Sequence, residues 1–217
     1  MTNATLNLWK RNLGSVPAEV WQKTSIEVLV LADNGLTEIS AEVARLQNLR
    51  TLDLGHNQIS ELPEAIAELK DLRDFLYLHD NRLTSLPSSL GQLHRLRYLN
   101  ISANRLSLFP DCIAYMNGLI ELRVNDNQLS SLPDTIMRLS KLRELHLRNN
   151  NLRTLPLGIG AMSELRHIDL RGNPIGVLPD SVAALPRLKK LDRRWIDTLP
   201  EPAWLDLLEQ RGCSVYR

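Results

Sequence analysis

Few residues of this chain have the types and spacing that catalytic chemistry requires. The 217 residues contain no phosphate-binding glycine loop, no H-E-x-x-H pair and no C-x-x-C pair, which are the usual signals for nucleotide, zinc-hydrolase and thiol-redox chemistry. Cys112 stands beside Ile113, and Cys213 lies close to the C-terminus. Both positions favour small core thiols over nucleophiles. We therefore expect no catalytic set and no cofactor.

The histidines are the remaining candidates for metal binding or acid-base chemistry. They are His56, His79, His94, His146 and His167. His146 and His167 are expected on neighbouring strands with Glu144 nearby, but the donors lack the dedicated spacing of a metal site. The sequence therefore favours ordinary solvated histidines and predicts no metal site. An enzyme with a cryptic site around His146 and His167 is kept as an alternative.

A repeat determines which elements position these side chains. Residues 119–139 read LIELRVNDNQLSSLPDTIMRL, and equivalent segments occur before and after them. Aligned on one asparagine, the gaps between repeats are 23 or 24 residues, and the positions are Asn34, Asn57, Asn81, Asn104, Asn127, Asn150 and Asn173. A fixed period of this size predicts a solenoid with one repeat per turn. The repeat also accounts for the 44 leucines.

The chemistry of one repeat explains its pattern. Leu122 and Val124 alternate with outward-facing residues, as in a strand with one buried face. The Asn127 amide has two donors and an acceptor, so it can satisfy backbone groups of adjacent turns. Pro133 suits the first position of a short helical turn, and Ile136 directs the apolar side of that turn inward.

These motifs resemble the intracellular leucine-rich repeats of the 23-residue class found in bacterial and Ras-group proteins. The resemblance implies an α/β solenoid, a leucine-rich-repeat horseshoe with a parallel concave sheet and short helical or 3₁₀ turns on the convex side. It also implies a C-terminal cap made of a helix and a strand. The predicted strands number nine, with one more in the cap.

The repeats occupy almost the whole chain, so we expect one domain over residues 1–217. A degenerate first repeat covers about 5–21, regular repeats about 26–185, and a degenerate last repeat with the cap about 188–217. The fourth repeat has one extra residue among Asp74, Phe75 and Leu76. This extra residue indicates either a strand bulge that changes the direction of nearby side chains or a neutral insertion in a turn.

The composition limits the classes of partner and the cellular compartment that we expect for this chain. The formal charge of +1 and the pI near 7.8 give no general reason to expect nucleic acid. No apolar run approaches the roughly 20 residues of a membrane span. The N-terminus lacks an apolar signal core, and the two cysteines do not form a cysteine-rich cap, which favours a reducing compartment. We expect a cytoplasmic protein. The sequence favours a monomer but does not determine the oligomeric state.

The outward strand residues form the informative surface, because equivalent residues of stacked strands lie about 4.8 Å apart. Aromatic and arginine residues are enriched in interface hot spots. The candidate partner-binding residues are Phe75, Tyr77, His79, Tyr98, Arg123, His146, Arg148 and Arg171. Alternatively, the aromatics reflect strand preference, and the arginines form a solvated ladder with Glu121, Glu144 and Asp169.

The favoured hypothesis is a non-enzymatic module that holds an unidentified protein or peptide against the concave sheet. A solenoid offers a large preformed surface, which lowers the ordering cost of binding. A secreted bacterial effector that binds a host protein in the same way is a second alternative.

Overall fold

The computed structural model describes residues 4–196 and 201–217. Each repeat contributes one strand of three residues, and the described residues form ten strands in all. They are β1 (Thr5–Asn7), β2 (Val28–Val30), β3 (Thr51–Asp53), β4 (Phe75–Tyr77), β5 (Tyr98–Asn100), β6 (Glu121–Arg123), β7 (Glu144–His146), β8 (His167–Asp169), β9 (Lys190–Asp192) and β10 (Ser214–Tyr216).

The ten strands lie in one parallel sheet, in the order in which they occur along the chain. Equivalent residues pair without slippage, so that Leu122 lies between Leu99 and Leu145. The expected α/β solenoid with nine strands and an added terminal strand is confirmed. One domain over residues 1–217 stays a prediction.

The chain returns from strand to strand through short 3₁₀ turns on the opposite side. These turns are Ala18–Gln22, Ala41–Arg45, Glu64–Glu68, Ser88–Gln92, Asp111–Tyr115, Asp134–Arg138, Ile159–Ala161 and Asp180–Ala184. Pro133 precedes its turn with an extended backbone, φ −74° and ψ 153°, so its expected place inside the turn was wrong. Its carbonyl accepts from the Ile136 N–H at 3.1 Å, and its own missing N–H leaves no donor unsatisfied.

A single apolar core fills the space between the sheet and the turns. Leu122 and Val124 are fully buried from the strand side and Ile136 from the turn side, as the repeat predicts. Burying one such side chain contributes about 1.5–3 kcal/mol. Because each repeat exposes its core face to the next, this stabilisation depends on the neighbours as much as on the repeat itself.

The asparagine ladder joins consecutive turns. The Nδ2 of Asn127 donates to the carbonyls of Ile101 at 3.0 Å, Val124 at 3.3 Å and Asn125 at 3.1 Å, and its Oδ1 accepts from the Leu106 N–H at 3.0 Å. Two of these four partners, Ile101 and Leu106, belong to the preceding repeat. Each of the other ladder asparagines also bonds backbone of its own and the preceding repeat, namely Asn34, Asn57, Asn81, Asn104, Asn150 and Asn173.

The two ends of the core are covered differently. Trp21 lies in the first 3₁₀ turn and is 2% exposed, so its ring is part of the core at the N-terminal end. At the other end lies the α-helix α1 (Trp204–Gln210), whose Trp204 Nε1 donates to Asp180 at 3.0 Å. Strand β10 follows and pairs with β9. Leu207, on the same helix, is 55% exposed.

Part of the predicted cap, residues 197–200, lies outside the described residues. In the described part of the chain, no helix is long and apolar enough to cross a bilayer. Cys112 and Cys213 are both buried thiols. Burial raises the pKa of Cys112 to about 11, so this thiol stays protonated and unreactive at neutral pH.

Replacing Asn127 with alanine is expected to lower the free energy of unfolding by about 1–3 kcal/mol, because buried backbone groups of two repeats lose their partner. Gln128→Ala is the matched control, since Gln128 is the exposed neighbour. Chemical denaturation of both variants measures the difference. An Asn127→Ala variant as stable as the Gln128→Ala variant would contradict the ladder's role.

Deleting residues 200–217 is expected to produce an aggregating or non-cooperatively unfolding chain. The deletion removes α1 from the turn at 180–184 and β10 from the edge of β9, which exposes the last core layer to water. Size-exclusion chromatography and thermal denaturation measure the outcome. Leu207→Ala removes an exposed leucine of the same helix and should change neither. A monomeric, cooperatively folding truncation would refute the cap assignment.

Candidate functional site

The strand register arranges the outward side chains in columns across the concave face. In one column Phe75, Tyr98 and Glu121 lie side by side, and in the next column Tyr77 pairs with Asn100. These are the columns that the sequence predicts. Their spacing follows from the about 4.8 Å between paired strands, so residues one repeat apart in sequence become contact neighbours.

Three aromatic rings form a contiguous group on β4 and β5, which we call the aromatic cluster: Phe75, Tyr77 and Tyr98. Ring centroids are 5.1 Å apart for Tyr77 and Tyr98, 5.4 Å for Phe75 and Tyr98, and 5.8 Å for Phe75 and Tyr77. Burial raises the pKa of Tyr77 and of Tyr98. Both hydroxyl groups therefore stay protonated at neutral pH and can donate hydrogen bonds.

His79 extends the aromatic cluster towards the next column. Its ring meets Tyr77 edge-on at 6.0 Å and His56 at 4.7 Å. The ring lies on Gly55, where a Cβ would clash with the imidazole. Glycine at this position therefore makes room for the imidazole. Burial, and then the nearby His56, lower the pKa of His79, which favours the neutral ring.

The extra residue of the fourth repeat lies before β4 and not within it. Two residues, Arg73 and Asp74, separate core Leu72 from the strand, whereas Arg50 alone occupies this place before β3. Strand β4 keeps regular register with both neighbours, so the alternative of a strand bulge was wrong. The insertion instead places the Asp74 carboxylate 2.9 Å from the Arg50 guanidinium.

A shallow depression of about 240 Å³ lies beside this insertion, where β4, β5 and β6 begin. Two rings of the aromatic cluster form part of its wall, and the complete lining is Asp74, Phe75, Arg97, Tyr98, Ile120 and Glu121. Asp74, Arg97 and Ile120 precede their strands and were not predicted as site residues. The one-residue irregularity of the repeat was the signal that pointed to this region.

The arginines of the predicted site are already paired with acidic side chains. Arg123 Nε lies 2.5 Å from Glu121, and Arg148 Nη2 lies 3.0 Å from Asp126. Arg123 also lies over the Tyr98 ring at 6.0 Å. Of the expected acidic partners, Glu121 is confirmed and Glu144 is replaced by Asp126.

Arg171 belongs to a different environment at the C-terminal end of the face. It donates to the buried Asp169 through Nε at 2.9 Å and Nη2 at 2.6 Å, and its Nε also lies 3.5 Å from Asp192. Its guanidinium lies over the exposed Trp195 ring at 5.6 Å. The arrangement fits a structural ion pair that orders the last repeats. Arg171 follows β8 and is therefore several strands away from the aromatic cluster on β4 and β5.

The structure brings Glu144, His146 and His167 together on β7 and β8. The two imidazole centroids are 4.8 Å apart, and His146 Nε2 lies 3.2 Å from the Glu144 carboxylate. His146 is only 7% exposed, so the expectation of a solvated histidine was wrong here. Burial is the main cause that lowers the pKa of both imidazoles, with the positive charge of Arg123 acting on His146 and that of Lys190 on His167.

Comparison with known proteins agrees with this architecture. A family model described as a leucine-rich repeat region matches residues 11–124, and a second, described as a leucine rich repeat, matches residues 117–175 and 140–194. No curated protein matches the chain in a sequence search.

Solved structures with the same architecture come from several sources. A leucine-rich-repeat protein of Leptospira interrogans aligns with a TM-score of 0.81 at 22% identity, over 99% of this chain and 66% of its own. The ectodomain of the Arabidopsis thaliana receptor kinase GASSHO1/SCHENGEN3 aligns with a TM-score of 0.71 at 32% identity, over 82% of this chain. PEPR1, in its structure with AtPEP1, aligns with a TM-score of 0.77 at 25% identity, over 99% of this chain.

The present chain spans only 22% of the GASSHO1/SCHENGEN3 chain and 34% of the PEPR1 chain. The likeness to the Leptospira protein is one of fold. The first family model alone matches more than half of the residues. The chain therefore belongs to the leucine-rich-repeat family.

Proposed function

We propose that this chain is a non-enzymatic module that binds a protein or peptide on its concave face, with the partner across β4 to β7. The observation that carries this proposal is the aromatic cluster beside the depression at the start of β4 to β6. Phe75 is exposed, and Tyr77 and Tyr98 are partly exposed. Such rings offer a large contact area at low conformational cost.

The surrounding groups suit an extended segment with both apolar and polar side chains. The depression has an apolar wall from Phe75, Tyr98 and Ile120 and polar groups from Asp74 and Arg97. An apolar anchor could enter the depression while the tyrosine hydroxyls bond to the partner's backbone. The sheet supplies this surface already folded, which lowers the ordering cost of binding.

The arginines contribute less than the rings in this proposal. An acidic segment of the partner would have to compete with Glu121 for Arg123 and with Asp126 for Arg148. Partly exposed pairs of this kind are worth about 0–1 kcal/mol, so exchange is feasible but adds little affinity. We therefore assign anchoring to Tyr77 and Tyr98 and an orienting role to the arginines.

The solved relatives support the class of function. The GASSHO1/SCHENGEN3 ectodomain is described in complex with CASPARIAN STRIP INTEGRITY FACTOR 2, and PEPR1 with AtPEP1. Both are leucine-rich-repeat structures that hold a second molecule, and proteins of this family are typically interaction modules without catalytic activity.

We also propose that the chain belongs to the intracellular 23-residue class found in bacterial and Ras-group proteins, and that it acts in the cytoplasm. The regular spacing of the ladder asparagines and the two buried, reduced cysteines support this assignment. Fractionation of the native cells, followed by immunodetection, tests it. The protein should appear with cytoplasmic markers, and its recovery in the extracellular fraction would favour the exported alternative.

A photo-crosslinking amino acid placed at Tyr98 is expected to capture the partner in native cells, whereas the same amino acid at Tyr115 should not. Tyr115 is the matched control, since it is 53% exposed but lies on a convex turn. Mass spectrometry identifies the captured species. Adding Tyr77→Ala to the Tyr98 crosslinker should abolish capture, because it removes the adjacent anchor.

The Tyr77→Ala, Tyr98→Ala double variant should remain folded, because it loses ring contacts worth about 0.5–1.5 kcal/mol per pair and none of the core. Thermal denaturation checks this point. Capture at Tyr115 that equals capture at Tyr98 would contradict concave binding. A folded double variant that still binds the partner unchanged would also contradict concave binding.

A further inference from the structure

The group formed by Glu144, His146 and His167 is not explained by the proposed binding of a partner. Each of the three residues offers one ligand atom, and these atoms lie within 4.8 Å of one another. We infer that Glu144, His146 and His167 form a binding site for a divalent transition-metal ion on the concave face. This inference does not depend on the aromatic cluster or on its partner.

The distances fit such an ion with little rearrangement. The Glu144 carboxylate oxygen lies 3.2 Å from His146 Nε2 and 3.7 Å from His167 Nδ1. Around a tetrahedral Zn²⁺, whose bonds to these donors are about 2.0–2.2 Å, neighbouring donor atoms lie about 3.3–3.6 Å apart. Two edges of the ligand triangle are therefore close to the required length. The third edge joins the donor nitrogens of His146 and His167, which lie within 4.8 Å. A rotation of the His167 ring that moves its donor atom by about 1 Å would bring this edge close to the required length.

The donor types favour a transition metal over Ca²⁺ or Mg²⁺. Two imidazoles and one carboxylate are a common ligand set for Zn²⁺ and its neighbours in the first transition row, whereas Ca²⁺ and Mg²⁺ prefer oxygen ligands alone. Three protein ligands leave a fourth position for water or another donor. The Glu121 carboxylate lies 3.6 Å from His146 Nε2 and is a candidate for that position.

A hydrogen-bond network alone does not satisfy His167. Its Nδ1 is 3.7 Å from Glu144, which is longer than a hydrogen bond. Its Nε2 is buried and has no hydrogen-bond partner among the described residues. Buried polar atoms are normally partnered, and Nε2 would stay unpaired if Nδ1 coordinated the ion. Coordination through Nδ1 would instead replace the long contact between His167 and Glu144 with bonds from both residues to one shared ion.

The local charges permit a divalent cation. Arg123 and Lys190 both act on the imidazoles and oppose a further positive charge. Arg123 is already bonded to Glu121 at 2.5 Å, and Asp169 lies close enough for His146 to influence its charge. Asp169 is also bonded to Arg171, so the three carboxylates of Glu121, Glu144 and Asp169 balance the three cations Arg123, Lys190 and Arg171, and the surroundings carry no net positive charge that would exclude the ion.

Titration of the metal-free protein with Co²⁺, followed by visible absorption, tests the site directly. We expect one Co²⁺ per chain, a spectrum that indicates histidine coordination, and displacement by Zn²⁺. Glu144→Gln and His167→Gln should each weaken binding by at least about tenfold. His94→Gln is the matched control, because His94 is an exposed histidine away from the group, and it should leave the affinity unchanged.

Thermal denaturation without metal shows whether each variant is folded, so that lost binding is not mistaken for lost structure. Zn²⁺ should raise the Tm of the wild-type protein, because an ion that binds only the folded state stabilises it, and should not raise that of folded His167→Gln. Absence of stoichiometric binding by the wild-type protein would overturn the inference. So would equal affinities of the wild-type protein and folded His167→Gln.

Discussion

The structure depends on one constraint: the chain must leave a strand in every repeat without leaving buried backbone N–H and C=O groups unpaired. The ladder asparagine meets this need, since the Asn127 amide bonds two carbonyls of its own repeat and a carbonyl and an N–H of the repeat before. The same contact links folding of one repeat to the presence of its neighbour. Stability is therefore shared along the solenoid and not held by any single turn.

The regular stacking that the ladder enforces also creates the concave face. Because all strands keep one register, a residue type at one position of a repeat is placed next to its counterpart in the following repeat. The residues that differ from repeat to repeat are therefore arranged side by side on one continuous surface. This arrangement produces two groups of side chains. One is the aromatic cluster on β4 and β5, and the other is the histidine pair on β7 and β8.

The two proposed sites use different physics on one surface. The aromatic cluster offers apolar area and hydroxyl donors beside a depression, which suits a partner held by many weak contacts. Glu144, His146 and His167 offer a few strong donors in a partly buried position, which suits a single ion. Arg123 lies between them, bonded to Glu121 and close to both Tyr98 and His146, so a change at either site alters the electrostatic field at the other.

The sequence by itself determined the solenoid, the parallel sheet, the buried side of each strand and the bonding of the ladder, because these follow from a period repeated many times. It also determined the columns and hence the neighbours of Phe75, Tyr77 and Tyr98. The tertiary structure alone decided how His146 is buried against His167, since side chains in different columns meet only through their rotamers. It also decided that the extra residue of the fourth repeat is absorbed before β4, because the pairing of β4 with both neighbours is more costly to disturb than a loop.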